Sequence, residues 1–213
     1  MNKILPLILF FVYSLLNLCA SEEANMEDRY SSFNAGFDIA TGDIDATGFS
    51  FGAINQLAKD GQDGIALLGN FEYLSIDEYL GVNVSAADVE AFAYTLGIGY
   101  IFKADDMHII PYYGFSKLEL GVQGFSAGEA DSTAFGIMFR KQISPSAILT
   151  FDIINTSLDD VTVVGSNVPV YSSAETSFSF DIENKINENT AIIYGADFAD
   201  GINSYSIGMS INF

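Results

Sequence analysis

The sequence predicts an all-β fold, a closed antiparallel transmembrane β-barrel of about ten strands, and three observations favour this fold class. Apolar residues alternate with small or polar ones at a period of two along most of the chain. Hydrophobic residues make up 49% of the 213 residues and charged ones only 17%, which is unusually apolar for an acidic soluble protein. After residue 20, no run approaches the roughly 18 apolar residues that a membrane helix needs. The apolar residues are therefore predicted to meet lipid as strands.

Residues 1–20 have the layout of a secretory signal peptide and are expected to be removed. Lys3 is followed by an apolar stretch from Ile4 to Leu16 and by the small residue Ala20. A retained membrane anchor is the alternative. Cleavage also removes Cys19, the one cysteine, which excludes disulfides and thiol redox chemistry in the mature chain. Residues 21–28 then form a short acidic N-terminal segment, and 29–213 form a single barrel domain.

Ten strands follow from the alternation, and eight is the alternative count. The stretch from Phe92 to Phe102 is the clearest strand, because a helix would wrap its aromatic side chains around every face. A mean length of roughly ten residues is what a tilted strand needs to cross a bilayer. The predicted strands lie at 33–39, 49–53, 65–73, 92–102, 108–120, 132–141, 147–157, 176–183, 190–198 and 204–213.

The two faces of these strands differ, and the difference favours a closed barrel over a soluble β-sandwich. One face is bulky and apolar, as in Phe33, Phe37 and Ile39, and the other mixes glycine with charged residues. A sandwich would expose the glycine-rich face to water, whereas a barrel turns the bulky face to lipid and needs small and polar residues in its lumen. With Tyr113 and Phe115 on the same inward face, the predicted lumenal charges are Asp38, Glu72, Lys117, Glu119, Arg140, Asp152, Asp181 and Asp197.

The predicted connections between strands fall into two alternating sets. Those of one set are short and contain one lysine each, at Lys59, Lys103, Lys141 and Lys185. Those of the other set contain acidic residues and no lysine. An antiparallel meander brings alternate connections to opposite ends of the barrel. One end is therefore predicted to be dotted with lysine, and the other to be uniformly acidic.

The last strand carries a recognisable pattern, with bulky residues at Tyr205, Ile207, Met209, Ile211 and Phe213. This pattern resembles the C-terminal signature of bacterial outer-membrane β-barrel proteins, and the alternation and signal peptide extend the resemblance to a small porin-like barrel over the whole chain. The resemblance implies a place in the bacterial outer membrane, contact with its lipid, and recognition of the last strand by the barrel-assembly machinery. Short periplasmic turns and longer external loops are also implied. Because tryptophan is absent, the interfacial aromatic girdle is expected at Tyr100, Tyr112, Tyr194, Tyr205 and Phe213.

Catalysis and metal binding are not predicted. Ten strands is also the strand number of the omptin proteases, but the motif blocks of that family are not visible here. The one histidine, His108, follows a lysine-marked turn, whereas omptin chemistry belongs to the outer rim. The stretch 43–48 imitates a calcium loop at Asp43, Asp45 and Gly48, but Ile54 stands where the motif requires glutamate. No enzymatic activity, cofactor or metal site is therefore expected.

Two functions fit these features. The sequence predicts a narrow, passive, porin-like channel that prefers cations, because the predicted lumen and external loops carry mainly acidic residues. The alternative is a non-conducting structural or adhesion barrel that acts through its acidic loops. Small cations are the expected solutes, and nucleic acid is not an expected partner, because the formal net charge is −20 at pH 7. Ten strands lie at the borderline between a filled and an open barrel.

Overall fold

The computed structural model describes residues 30–57, 63–104, 107–123, 125–158, 162–163 and 174–212. The predicted signal peptide, the acidic N-terminal segment and Phe213 lie outside these residues. Where the chain is described, no helix is long and apolar enough to cross a membrane. The strands are β1 Ser31–Gly42, β2 Ile44–Gln56, β3 Gly64–Tyr79, β4 Val82–Asn83, β5 Val89–Ala104, β6 Met107–Val122, β7 Phe125–Ser144, β8 Ala147–Leu158, β9 Thr162–Val163, β10 Ala174–Lys185, β11 Thr190–Ala199 and β12 Ile202–Asn212.

The ten long strands close into one antiparallel barrel, and the two-residue strands β4 and β9 are additions at its rim. Each long strand pairs with the long strand before it and the one after it in the chain. Closure is made by β1, which pairs with β2 on one side and with β12 on the other. A closed ladder satisfies the backbone groups that hydrocarbon cannot hydrogen-bond. The predicted all-β barrel of ten strands is therefore confirmed, and the alternative of eight strands is wrong.

The outer surface of the barrel is a belt of exposed apolar side chains. Aromatic pairs across neighbouring strands continue this belt around the barrel. The rings of Phe49 and Tyr73 lie 5.0 Å apart, and those of Tyr73 and Phe92 also lie 5.0 Å apart. Pairs of this kind stabilise a sheet by roughly 0.2–1 kcal/mol each. On β5 alone, the exposed apolar residues are Tyr94, Leu96, Ile98, Tyr100 and Phe102.

Strand β6 is the place where the sequence analysis assigned the wrong face. Tyr113 and Phe115, predicted to face the lumen, are 54% and 52% exposed on the outer surface. Tyr113 lies directly opposite Ile98 of β5, which is also exposed. Lys117 and Glu119 have the same parity along β6, so they too lie outside the barrel and not in its lumen. The error arises because two adjacent tyrosines, at 112 and 113, make the alternation ambiguous by one residue.

The charged residues of β6 and β7 show where the apolar belt ends. Lys117 Nζ lies 3.2 Å from Glu119 Oε1 and 2.8 Å from Glu129 Oε2, and all three side chains lie on the outer face. These two strands therefore extend beyond the lipid-facing belt. Tyr112 is the inward member of the tyrosine pair, and its hydroxyl donates a hydrogen bond to Asp152. It is therefore not part of the predicted interfacial girdle.

We call the end of the barrel that carries Tyr30 and Asn212 the terminal end, and the opposite end the loop end. Short connections occur at both ends, as at 145–146 between β7 and β8 on the terminal end and at 43 and 200–201 on the loop end. The expectation of longer external loops is therefore wrong for these two loop-end connections, where the strands run through most of the predicted loops. The described loop-end connections include 80–88, with β4 and a turn of 3-10 helix at Ser85–Ala87. The resemblance to outer-membrane barrels implies that the terminal end faces the periplasm.

Candidate functional site

The lumen contains a cavity of about 440 Å³ lined by both polar and apolar surface, and this cavity is the candidate site. Its wall is lined by small and polar side chains from most of the strands, with serine hydroxyls at Ser50, Ser179 and Ser206. Five carboxylates belong to the same level of the barrel. We call them the acidic layer: Asp38 of β1, Glu72 of β3, Asp152 of β8, Asp181 of β10 and Asp197 of β11.

Glycines provide the room in which these side chains lie. A side chain at Gly195 would collide with the carboxylate of Asp181 and the hydroxyl of Ser206. A side chain at Gly136 would collide with the ring of Tyr112, which lies across β7. From this position the Tyr112 hydroxyl reaches Asp152 Oδ2 at 2.6 Å. The inward glycines that the sequence analysis interpreted as lumen lining therefore set how far the polar side chains can reach.

The acidic layer is one electrostatic unit centred on Asp197. This carboxylate interacts electrostatically with those of Asp38, Glu72, Asp152 and Asp181. It is also the most exposed of the five, whereas Glu72 and Asp181 are half-buried. In a narrow passage of low dielectric, like charges repel more strongly than in bulk water. The layer is therefore a place where a cation lowers the electrostatic energy.

Two members of the layer are buried and incompletely hydrogen-bonded. Asp38 and Asp152 are 7% and 6% exposed. The hydroxyl of Ser50 donates to Asp38, and that of Tyr112 donates to Asp152. In the described structure, the second oxygens, Asp38 Oδ2 and Asp152 Oδ1, accept no hydrogen bond. Buried acceptors without donors are costly, so both carboxylates have unused capacity to bind a donor.

A network of aromatic and charged side chains fills the lumen on the terminal side of the cavity. Tyr30 is 1% exposed. Its hydroxyl oxygen and His108 Nδ1 are joined by a hydrogen bond of 2.6 Å. The guanidinium carbon of Arg140 lies 4.8 Å from the centre of the Tyr30 ring, and Arg140 Nη2 lies 2.9 Å from Glu183 Oε2. We call these four residues the Tyr30 network. It joins β6, β7 and β10 to the residue that precedes β1.

Apolar side chains pack around the Tyr30 network and complete the filling of the terminal end. Tyr30 forms a buried cluster with Ala66, Ile101 and Ile110, against which Ile54 and Met138 pack. His108 therefore lies in a packed interior, with Tyr30 as its hydrogen-bond and stacking partner. The neighbouring residues at 105–106 lie outside the described part of the chain. This geometry gives His108 a packing role in the described structure.

The loop end of the lumen is filled differently, by apolar side chains. Its buried centre consists of Ala40, Ala46, Ile76 and Ala91. Around this centre pack Ile44, Leu74, Val84, Val89, Leu118, Leu120 and Ile202. We call this group the loop-end cluster. Val84 belongs to the connection between β3 and β5, and its N–H donates to the carbonyl of Asp77 at 2.8 Å, which holds the connection against the barrel.

Most of the predicted lumenal charges surround the cavity. Asp38, Glu72, Arg140, Asp181 and Asp197 line it directly. Asp152 lies on the inward side of β8, between two residues that also line it, at positions 150 and 154. Lys117 and Glu119 lie outside, as described above. Two residues of the site were not predicted: Glu183, although it continues the inward series of positions 179 and 181, and Tyr30, which stands before the first alternating stretch.

The remaining predictions concern the metal sites and the last strand. Among the described residues, no group of three or more metal-ligating side chains has the geometry to hold an ion. In the stretch 43–48, which partly matches a calcium-binding loop, the Asp45 carboxylate accepts a hydrogen bond from the Gly42 N–H at 3.3 Å. In β12, Ile207, Met209 and Ile211 are exposed on the outer surface. Their role as an assembly signal stays a prediction.

Comparison with solved structures finds other membrane barrels. The COG4313 outer-membrane channel from Pseudomonas putida F1 is 9% identical, covers 91% of this chain and 98% of that chain, and has a TM-score of 0.55. The β domain of the Bordetella autotransporter BrkA is 11% identical over 85% and 98%, with a TM-score of 0.49. The KdgM porin in complex with oligogalacturonate is 8% identical over 85% and 99%, with a TM-score of 0.46. No protein-family model and no curated protein matches the chain.

The fold is that of a bacterial outer-membrane β-barrel. The likeness to the COG4313 channel supports this assignment, and the exposed apolar belt gives its physical reason. The predicted place in the outer membrane agrees with this fold.

Proposed function

We propose that this protein is a narrow, passive outer-membrane channel that prefers cations. The observation that carries the proposal is the acidic layer around the cavity. Four of its carboxylates line the cavity and Asp152 lies on the inward side of β8 beside it, whereas the guanidinium of Arg140 is held by Glu183 at the terminal side. A cation entering this level exchanges its hydration for carboxylate oxygens, and an anion is repelled. Selectivity for cations follows from this arrangement of charges.

The filled ends of the lumen set the expected size of the current. The Tyr30 network narrows the terminal end, and the loop-end cluster narrows the other. Conduction therefore requires water and ions to pass beside packed side chains, so the single-channel conductance is expected to be small. The same filling favours the second candidate function, a non-conducting barrel that acts through its acidic loops.

Planar-bilayer recording in a salt gradient tests the proposal. Wild-type protein is expected to give small conductance steps and a reversal potential with the sign of cation preference. Glu72→Gln with Asp197→Asn removes two charges from the acidic layer and is expected to shift the reversal potential towards zero.

The matched control is Glu129→Gln with Asp131→Asn, which removes the same two residue types from the outer face of β7. This control is expected to leave the reversal potential close to the wild-type value. Anion preference in wild-type protein would contradict the cation-selective lumen. Absence of current from folded protein would favour the non-conducting barrel instead.

A further inference from the structure

We infer that the acidic layer binds a linear aliphatic diamine or polyamine, held between Glu72 on one wall of the lumen and Asp181 and Asp197 on the other. The inference deepens the proposed function and rests on it, because the ligand reaches this level through the lumen.

The carboxylates stand on opposite walls. In the ring of ten long strands, four strands separate β3 from β10 in either direction, so Glu72 and Asp181 face each other across the lumen. Asp197 of β11 stands next to Asp181 and interacts electrostatically with both Asp181 and Glu72. A ligand with two cationic ends can neutralise both walls at once.

This arrangement argues against a chelated metal ion and against a neutral ligand. No described group of three or more ligand-type side chains converges on one point, as a dehydrated divalent ion requires. A neutral sugar could donate hydrogen bonds but would leave the charges of the layer unbalanced in a low-dielectric passage. An amine supplies both a positive charge and N–H donors, and charge-assisted hydrogen bonds are roughly twice as strong as neutral ones.

Asp38 gives independent evidence that the layer has room for a donor. It lines the cavity between the two walls, its side chain is 7% exposed, and its Oδ2 accepts no hydrogen bond in the described structure. Folded proteins rarely leave a buried acceptor unsatisfied unless water, an ion or a ligand completes it. Because this oxygen has almost no accessible surface, the Asp38 side chain has to turn for an amine in the cavity to donate to it.

The space between the charged walls suits a hydrocarbon chain. The cavity lining includes apolar surface from Leu68 and Ile193, and from Ile54, which also packs against the Tyr30 cluster. Methylene groups of a diamine can pack against these side chains while its two ends reach the carboxylates. A compact hydrated cation gains nothing from this surface, because it keeps its water shell. The ligand is therefore expected to be linear and aliphatic.

Isothermal titration calorimetry on the folded barrel in nanodiscs tests the inference directly. The probes are putrescine, with two amines, butylamine, with one amine on a chain of the same length, and Mg²⁺, with the same charge as putrescine but no N–H donor. Putrescine is expected to bind the wild-type protein about tenfold or more tightly than butylamine or Mg²⁺. Glu72→Gln with Asp197→Asn is expected to weaken putrescine binding by about tenfold or more.

The control variant Glu129→Gln with Asp131→Asn keeps the lumen intact and is expected to bind putrescine as the wild type does. Equal binding of putrescine and butylamine, stronger binding of Mg²⁺, or an equal loss in both double variants would overturn the inference. No binding of putrescine to folded wild-type protein would also overturn it. If the lumenal double variant does not fold, Asp197→Asn alone replaces it, because Asp197 is already exposed to the cavity.

Calorimetry and bilayer recording separate this inference from the proposed function. Cation-selective current without putrescine binding would contradict the diamine site and support the channel. Putrescine binding without any current would contradict the channel and support a non-conducting barrel that binds diamines. When both hold, putrescine added to the bilayer is expected to reduce the current in the wild type and much less in the lumenal double variant.

Discussion

The two ends of the lumen are filled by different chemistry, and the comparison shows two ways to narrow a barrel. At the terminal end, directional contacts converge on one side chain, Tyr30, which makes a hydrogen bond to His108 and a cation–π contact with Arg140. At the loop end, the loop-end cluster spreads its packing over many aliphatic side chains. Removing Tyr30 should therefore widen the terminal end of the lumen. Removing any one side chain of the loop-end cluster should leave the loop end narrow, because the remaining side chains still fill it.

Replacing Tyr30 by alanine is expected to have the largest effect on stability and conductance. The change removes a fully buried ring, so we expect a loss of about 3–5 kcal/mol in the free energy of unfolding. It also opens the terminal end, so we expect a larger single-channel conductance. Tyr113→Ala is the matched control, because Tyr113 is exposed on the lipid-facing surface. Denaturant titration and planar-bilayer recording measure the two effects. Unchanged conductance in folded Tyr30→Ala protein would contradict the plug.

Replacing Arg140 by glutamine separates charge from packing in the same network. The change leaves the carboxylate of Glu183 buried without its cation, which costs about 3 kcal/mol in the free energy of unfolding. Lys117→Gln removes a lysine from an ion-paired group on the outer face and is expected to leave stability unchanged within error. Urea unfolding monitored by tyrosine fluorescence gives both values. Similar losses in the two variants would show that the buried pair has no special role.

Tyr30→Phe sharpens the comparison by keeping the ring and removing the hydroxyl. The variant leaves His108 Nδ1 without its partner at 2.6 Å, which costs about 1–2 kcal/mol. Conductance is expected to stay at the wild-type value, because the ring still fills the lumen. Tyr113→Phe controls for the loss of a tyrosine hydroxyl at an exposed position. An increase in conductance would show that the hydrogen bond, and not the ring, closes the terminal end.

Val84→Ala should have the smallest effect and tests the other side of the comparison. Val84 is half-buried at the edge of the loop-end cluster, so the lost contacts amount to about 1 kcal/mol at most. The conductance is expected to be unchanged. Val82→Ala is the control, because Val82 is exposed in the same connection. A conductance increase comparable to that of Tyr30→Ala would mean that the two ends are closed in the same way.

The sequence was sufficient for the barrel because its signal is repeated in every strand. An error in one strand does not alter the count, since the alternation in the other strands and the closing partner of β1 remain. The inward carboxylates of β1, β3, β8, β10 and β11 were predicted for the same reason, because a small or polar residue lies two positions before each of them. Position along a strand of known parity decides which face a residue occupies.

The Tyr30 network and the loop-end cluster could not be predicted in this way. Alternation tells which face a side chain occupies but not which residues of distant strands share a level. Tyr30 meets His108, 78 residues away in sequence, only because the stagger of the strands brings them together. In β6 even the parity failed, because Tyr112 and Tyr113 are both aromatic and only the pairing with β5 and β7 distinguishes them.

The position of Tyr30 also has a mechanical consequence. Hydrogen bonds between strands form a hoop, which resists stretching of the circumference but offers little resistance to flattening of a circular cross-section into an oval. The contact from the residue before β1 to His108 of β6 crosses the interior as a spoke, and the pair of Arg140 and Glu183 ties β7 to β10 past the intervening strand β8. Together these contacts oppose flattening of the terminal part of the barrel under lateral pressure from the bilayer.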